Sequence, residues 1–446
     1  MTHQPNASLY TWLPSFDGTE NIWGEFLRPD RYRQLLQQIN DNPKVIARGG
    51  SLSYCAASAG EGVASISTSC FNRILGFDPK TGLVSVEPGI SIGELFDFAI
   101  SKGWFPPVMP GHPRNTVGGC VGFNVHGKSQ FHGGNFGNWV EKLTIFHPAF
   151  GERECSSSNN TALFNLTIGG FGLTGFITRV DLRLQKLKGN SIRFRRLKAK
   201  NLFDAVNIMV EKANTADVLY SWNNLNMRGS SFGKGIVYVE TFEAELIPSR
   251  VHFKSLSSME RGVLFFPFFN QFTIPLVFRG YQIKERISQA EIMVDLKTAS
   301  FPINGKEIYF KLFGKRGFRE YQMLIPHDAW EKSVPEIEKV IIKHCIPVAL
   351  GSLKLFKGKT KHLNFSGDGI CLAIDVPAIP KSLNFLNDLD HLVISFGGIV
   401  NLSKDSRVRA ATIRKMFSEY EIFATGIREM DPTYRFDSAL RRRLEI

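Results

Sequence analysis

The stretch "PGHPRNTVGGCVGFNVHGKSQFHGGNFGN" covers residues 110–138 and holds eight glycines, three histidines, one cysteine and no carboxylate. Backbone this bare is a poor filling for a helix or a strand, because glycine loses the most conformational freedom on folding and buries no side chain. It suits a chain that wraps closely around something. A second glycine turn, "ARGGSLSY", precedes it at 47–54. Successive N–H groups freed by glycine form anion-binding nests, so two separated cradles point to a long, phosphate-bearing ligand. The histidines argue against a metal: His112, His126 and His132 are fourteen and six residues apart, with no carboxylate between them, whereas metal ligands usually cluster at short spacings.

A chain of 446 residues exceeds one ordinary core and predicts two domains. The formal charge of +13 favours anionic partners. The basic residues are nevertheless spread along the chain, with small knots at "RFRRLKAK" (193–200) and "LRRRLEI" (440–446) and no RNA-binding signature, so no nucleic-acid partner is expected. The cysteines at 55, 70, 120, 155, 345 and 371 form no C-x-x-C pair, and the N-terminus lacks the pattern of a signal peptide. A cytoplasmic protein, or one peripheral on an inner membrane, is expected. "VLFFPFFNQFTIPLVF" (263–278) is too short to span a bilayer. Its two prolines oppose a helix, so it reads as a loop over the core. It is also a candidate apolar surface for a lipid chain or membrane, flanked by Arg261 and Arg279.

The first part of the chain alternates short strands, such as "KVIARGG" (44–50), "VASIS" (63–67) and "LVSVEPG" (83–89), with glycine turns. A helix over 91–103 carries a Ser91/Glu94 capping box and ends at Gly103. "ALFNLTI" (162–168) fits strand or helix. From about 190 the order becomes strand, helix, strand, strand, twice over, with Pro335 suggesting a kink or a new start in the helix at 328–345. That order predicts an α+β architecture in which helices cover one face of an antiparallel sheet. "GFGLTG" (170–175) matches the dinucleotide fingerprint in letters only. A nicotinamide site needs a helix after the glycines and an acidic residue about 20 positions on, but here an alternating strand pattern follows.

Taken in order, R-G-x-x-x-S-Y, P-G-x-x-x-x-T-V-G-G, N-V-H-G-K, F-G-N and G-G-x-G-L-T-G resemble the flavoprotein oxidases of the vanillyl-alcohol oxidase type. "EYQMLIP", "LKLF", "IDVP", "FGGIVNLSKDSR" and "DSALRRRLEI" extend the likeness to the other end and toward the branch that oxidises polyprenyl-phospho-ribose. The resemblance implies a two-part FAD-binding domain (1–189 and 402–446) around a substrate domain (190–401). It implies noncovalent FAD, since the first glycine turn has no histidine to tether a flavin. Arg48, Gly49, Gly50, Ser51, Leu52, Ser53 and Tyr54 are expected at the FAD diphosphate. Gly111, Thr116, Val117, Gly118, Gly119, Phe123, Asn124, Val125 and His126 are expected around the rest of the cofactor, Ile177 at the adenine and Asn401 near the flavin ring.

The chemistry implied is oxidation of a sugar CH–OH, with the flavin taking the hydride. Lys404 is then expected to hold the 2-oxygen or the reduced flavin's charge, Gln322 to meet the sugar, and His126 to orient the sugar or its phosphate or to shift a proton. Tyr54, Lys128, Trp222, Lys354 and Phe356 are expected to line the substrate pocket, with Lys128 and Lys354 as phosphate ligands; His112 and His132 are expected to be dispensable. The implied partners are a lipid-linked sugar phosphate substrate, a short-chain NAD(P)H reductase that completes an epimerisation, and a peripheral membrane contact. Three departures stand out: the first turn lacks the family's further glycine and acidic residue, Ala373 replaces a pocket cysteine with Cys371 two residues earlier, and Glu320 stands where glutamine is usual. An alditol or sugar-lactone oxidase acting on a soluble substrate, and a basic binding module without catalysis, are the competing expectations.

Overall fold

The computed structural model describes residues 9–245, 247 and 267–446. Its largest sheet has eight strands, in the spatial order Glu291–Asp295, Ser191–Ala199, Lys234–Glu243, Val218–Asn224, Leu350–Phe356, Gly369–Pro377, Phe318–Pro326 and Ile399–Val400. Every pairing in it is antiparallel.

Alternation gives this sheet two different faces. Side chains directly opposite across a pair share a face. Met323, Leu372 and Leu353 lie in one such row, and Ile325, Ile370 and Leu355 in another. All are buried in one apolar cluster with Trp330, Ile337 and Ile341 of the helix His327–His344 and Phe385, Leu389 and Val393 of the helix Pro380–Ser395. The intervening rows, Glu320–Asp375–Leu350 and Gln322–Ala373–Ser352, therefore point to the opposite side.

A five-stranded antiparallel sheet runs Ile74–Asp78, Leu83–Val86, Phe176–Arg183, Val140–His147, Gly151–Ser156. A four-stranded sheet joins the hairpin Leu9–Pro14/Asn21–Leu27 to Ala64–Ser67 and Val45–Arg48 through parallel pairings. The end of the chain returns to this sheet: Val45 N–H donates to the Arg435 carbonyl at 2.8 Å, and buried Arg441 lies 3.5 Å from buried Asp431.

Several local expectations hold, and others are corrected. The Ser91/Glu94 capping box is present on the helix Ile92–Ser101. Of residues 162–168, which fit strand or helix, all but Ile168 lie in the helix Thr161–Thr167. The helix His327–His344 runs through Pro335, because Val334, Ile337 and Ile341 are buried; that burial offsets the interior proline's cost of about 3 kcal/mol. The prolines of 263–278 do mislead, since a helix forms where a loop is expected. Pro275 is the third residue of the helix Thr273–Ile287, where a backbone N–H has no partner within the helix anyway. Arg261 and residues 263–266 lie outside the described residues. Among those described, no helix is long and apolar enough to cross a membrane.

Leu372 is fully buried at the centre of the helix-covered face. Leu372→Ala is expected to cost about 2–5 kcal/mol and to lower the thermal midpoint clearly. An unchanged midpoint would contradict the packing of this face.

Candidate functional site

The uncovered face of the large sheet forms one wall of a cavity of about 580 Å³. The glycine-rich turns of the first part of the chain form the other wall, so residues from 16 to 404 meet in one space. The segment after Ile399–Val400 closes it. Asn401 N–H donates to the Gln322 carbonyl at 3.0 Å and Tyr54 N–H to the Ser403 carbonyl at 3.0 Å, which ties the sheet edge to the first glycine turn.

The cradle is made of backbone. Residues 49–53 all line the cavity, and among the described residues no protein acceptor takes the N–H groups of these five. Ser51 has a left-handed φ of 55°, which turns the run inward. Gly50 is needed for the fit, since a Cβ there would stand 2.3 Å from the Arg114 carbonyl oxygen. At the second turn, Thr116 caps the short helix Val117–Gly122 by accepting from Gly119 N–H. A nest of unpaired N–H groups fits a diphosphate, and the long, largely apolar remainder of the cavity fits a flavin nucleotide. In such a fit residues 49–53 would hold the diphosphate, and Gly118, Gly119, Phe123, Asn124, Val125 and Ile177 would flank the rest.

At the sheet end the polar groups converge. Lys404 Nζ lies 3.4 Å from Glu320 Oε2 and 3.5 Å from the centre of the Tyr54 ring. Burial lowers its affinity for a proton, while Glu320 works the other way. Asn401 Nδ2 donates to Gln322 Oε1 at 2.8 Å, and Gln322 Nε2 in turn donates to Glu320. The imidazole of His126 is held well below its usual pKa, first by burial and then by Lys354 and Lys404. It is therefore neutral, and its Nε2 accepts from Lys354 Nζ at 3.3 Å. Lys128 Nζ, 4.0 Å from the centre of the Tyr220 ring, and Trp222 Nε1 are buried without a hydrogen-bond partner among the described residues.

The structure brings most of the expected residues to this cavity. Gly49, Gly50, Ser51, Leu52, Ser53, Tyr54, Gly111, Thr116, Gly118, Gly119, Phe123, Asn124, Val125, His126, Lys128, Ile177, Trp222, Gln322, Lys354, Asn401 and Lys404 line it. Three do not. Arg48 turns away, with its guanidinium 2.8 Å from Ser58 Oγ, so it braces the turn from behind. Val117 is fully buried in the core beneath the second turn. Phe356 packs against the His126 ring at 4.9 Å between centres and supports it from outside the cavity.

His132 is occupied with the Ala216 carbonyl at 3.0 Å, whereas His112 does line the cavity, its pKa pushed down to about 4 by burial. Ala373 lines the cavity; Cys371 lies deeper, its thiol pushed up to about 12 by burial. Sequence reading missed Asp375, Tyr309, Lys306 and Ser352 as lining residues. Strand alternation from Ala373 would have found Asp375, and from Lys354 it would have found Ser352; nothing in the sequence pattern marks Lys306 or Tyr309.

Comparisons with known proteins agree with this geometry. An FAD binding domain model matches residues 29–154. The chain is 26% identical over 416 residues to the decaprenylphosphoryl-beta-D-ribose oxidase of Mycolicibacterium smegmatis, covering 90% of this chain and 89% of that protein. It is 32% identical over 134 residues to a D-lactate dehydrogenase of Anaerostipes hadrus, covering 29% of this chain and 28% of that one. It is 26% identical over 156 residues to the D-2-hydroxyglutarate dehydrogenase of Stutzerimonas stutzeri, covering 33% of each.

Two outcomes follow. Acid precipitation is expected to release the flavin into solution, and colour retained in the pellet would contradict noncovalent binding. Gly50→Ala is expected to lower FAD retention at least about tenfold, read from visible absorbance per folded protein, because the added Cβ displaces the turn. The matched domain, the backbone cradle and the relatives together make this chain an FAD-dependent oxidoreductase, similar to decaprenylphosphoryl-beta-D-ribose oxidase.

Proposed function

We propose that the chain oxidises the 2'-hydroxyl of a polyprenylphosphoryl-β-D-ribose to the 2'-keto sugar, the first half of an epimerisation to the arabinose form. The similarity to an oxidase of such a lipid-linked ribose, extending over 90% of the chain, carries the reading. In it, residues 1–189 and 402–446 serve the cofactor and 190–401 the substrate. FAD, when bound, would supply the hydride acceptor for the carbinol carbon, with the hydroxyl proton released to solvent. Lys404 Nζ holds the reacting oxygen, with Glu320 and the Tyr54 ring fixing its direction. Gln322, locked by Asn401, orients the sugar. Neutral His126 accepts from Lys354 and so aims that ammonium group at the substrate phosphate. Lys128, buried without a hydrogen-bond partner among the described residues, is the second phosphate ligand. A short-chain NAD(P)H reductase would return the keto sugar to the alcohol, and the net charge of +13 suits peripheral contact with an anionic membrane carrying the lipid.

Anaerobic stopped-flow mixing of FAD-loaded protein with a short-chain polyprenylphosphoryl-β-D-ribose is expected to bleach the flavin rapidly. Rapid bleaching by free alditols or sugar lactones alone would favour an oxidase of soluble sugars instead. Lys404→Ala is expected to slow bleaching at least about 100-fold. His126→Ala is expected to slow it more than His132→Ala, since His132 is engaged with the Ala216 carbonyl. The reverse order would overturn these roles.

A further inference from the structure

The helix Thr273–Ile287 is apolar on two opposite sides. At 3.6 residues per turn, Ile274, Phe278 and Tyr281 fall within one arc of about 60°. This arc faces inward. Ile274 and Phe278 are buried in a cluster with Phe269, Phe313 and Phe318, and Phe278 and Tyr281 pack on the ring of Trp222, which lines the cavity. The chain enters the helix through Phe268 and Phe269, whose N–H groups both donate to the Leu312 carbonyl, at 2.8 and 3.0 Å. Leu312 follows the short helix Ile308–Lys311, from which Tyr309 and Phe310 reach the cavity. The inner side of Thr273–Ile287 is thus tied to the cavity wall.

The opposite side faces solvent. Phe272, at the N-cap, is 74% exposed, and Leu276, Ile283 and Ile287 are 67%, 53% and 82% exposed. By the same count these four fall within an arc of about 60°, directly across the helix from Ile274, Phe278 and Tyr281. Single exposed apolar side chains are ordinary on a protein surface, but four aligned ones make a stripe about 22 Å long. A surface helix normally turns its polar side outward. Here the outward side is apolar, and Arg279 and Lys284, both exposed, stand beside its two edges. The helix carries three basic residues and one acidic residue, and the whole chain has the same sign of charge at +13. An apolar stripe with basic edges is the pattern that lies in the plane of an anionic bilayer, with the cations at the phosphate headgroups. An uncharged apolar groove on a protein would leave those cations unmatched.

We infer that the outer side of Thr273–Ile287 is the docking surface of this protein on an anionic lipid bilayer. Phe272, Leu276, Ile283 and Ile287 enter the apolar part of the interface, and Arg279 and Lys284 meet the headgroups. The inference rests on the proposed oxidation of a lipid-linked sugar for its purpose: docking by this helix brings the Trp222 wall of the cavity to the membrane that carries such a substrate. The surface overlaps the apolar stretch 263–278 only from Phe272 onward and continues to Ile287.

The test is flotation of FAD-loaded protein with vesicles that hold no substrate, made of equimolar phosphatidylglycerol and phosphatidylcholine or of phosphatidylcholine alone. Wild-type protein is expected to float with the anionic vesicles and to bind phosphatidylcholine at least about tenfold more weakly. The double variant Leu276→Ser, Ile283→Ser is expected to lower binding to anionic vesicles at least about tenfold, and Arg279→Gln with Lys284→Gln at least about threefold. All four positions are exposed, so thermal midpoint and FAD content are expected to match wild type. If the serine variant loses its FAD, Ile287→Ser at the helix end takes its place. Wild-type protein that stays in solution, or anionic binding that FAD-loaded serine variants leave unchanged, would overturn the inference. So would a dimer that the serine variant splits in the absence of vesicle binding, since the stripe would then join two copies. Vesicle binding lost in the serine variant, in a protein whose flavin polyprenylphosphoryl-ribose does not bleach, would support the docking surface and sink the proposed oxidation.

Discussion

The antiparallel register of Phe318–Pro326, Gly369–Pro377 and Leu350–Phe356 is the constraint on which the site depends. A strand has only two faces, and a shift of one residue exchanges them. Here one face supplies Met323, Leu372 and Leu353 to a core closed by two long helices. That burial, worth about 1.5–3 kcal/mol per large apolar side chain, fixes the register. The polar set Glu320, Gln322, Asp375, Ser352 and Lys354 is thereby forced into the cavity. Hydrophobic packing on one side of the sheet thus orders polar chemistry on the other.

The glycine turns answer the same cavity from the opposite wall, by a different means. They contribute bare N–H groups in place of side chains, and their close packing holds the cradle in shape. The segment 401–404 joins the two walls. Its backbone bonds to Gln322 and Tyr54 carry Lys404 into the one place where Glu320, the Tyr54 ring and the sheet face converge. Lys404 is thus fixed by contacts to both walls, although it lies far along the chain from either.

Much of this was legible in the sequence, for identifiable reasons. Strand alternation and capping at Ser91 are local signals, and both survive into the fold. The two glycine cradles pointed to a long, phosphate-bearing ligand, and the family resemblance carried by their ordered motifs named it as FAD. The prolines of 263–278 misled, because Pro275 falls in a first turn; the helix that carries Pro335 is continuous because its buried face holds it, and neither fact is written locally. Within the site, Arg48, Val117 and Phe356 sit inside motifs whose neighbours reach the cavity, yet they face away from it; a motif records which segment is near a ligand and leaves orientation to the fold. Tyr309 and Lys306 were invisible because they arrive from a segment with no periodicity or motif. Asp375 was quoted within "IDVP" but given no role, although it alternates onto the same strand face as Ala373.

A crystal structure of the FAD-loaded protein tests the central claim most directly. The account predicts the diphosphate on the N–H groups of residues 49–53, with the isoalloxazine ring between the second glycine turn and the sheet face that carries Gln322 and Lys404. A flavin bound elsewhere, or one whose ring lies away from that sheet face, would contradict it.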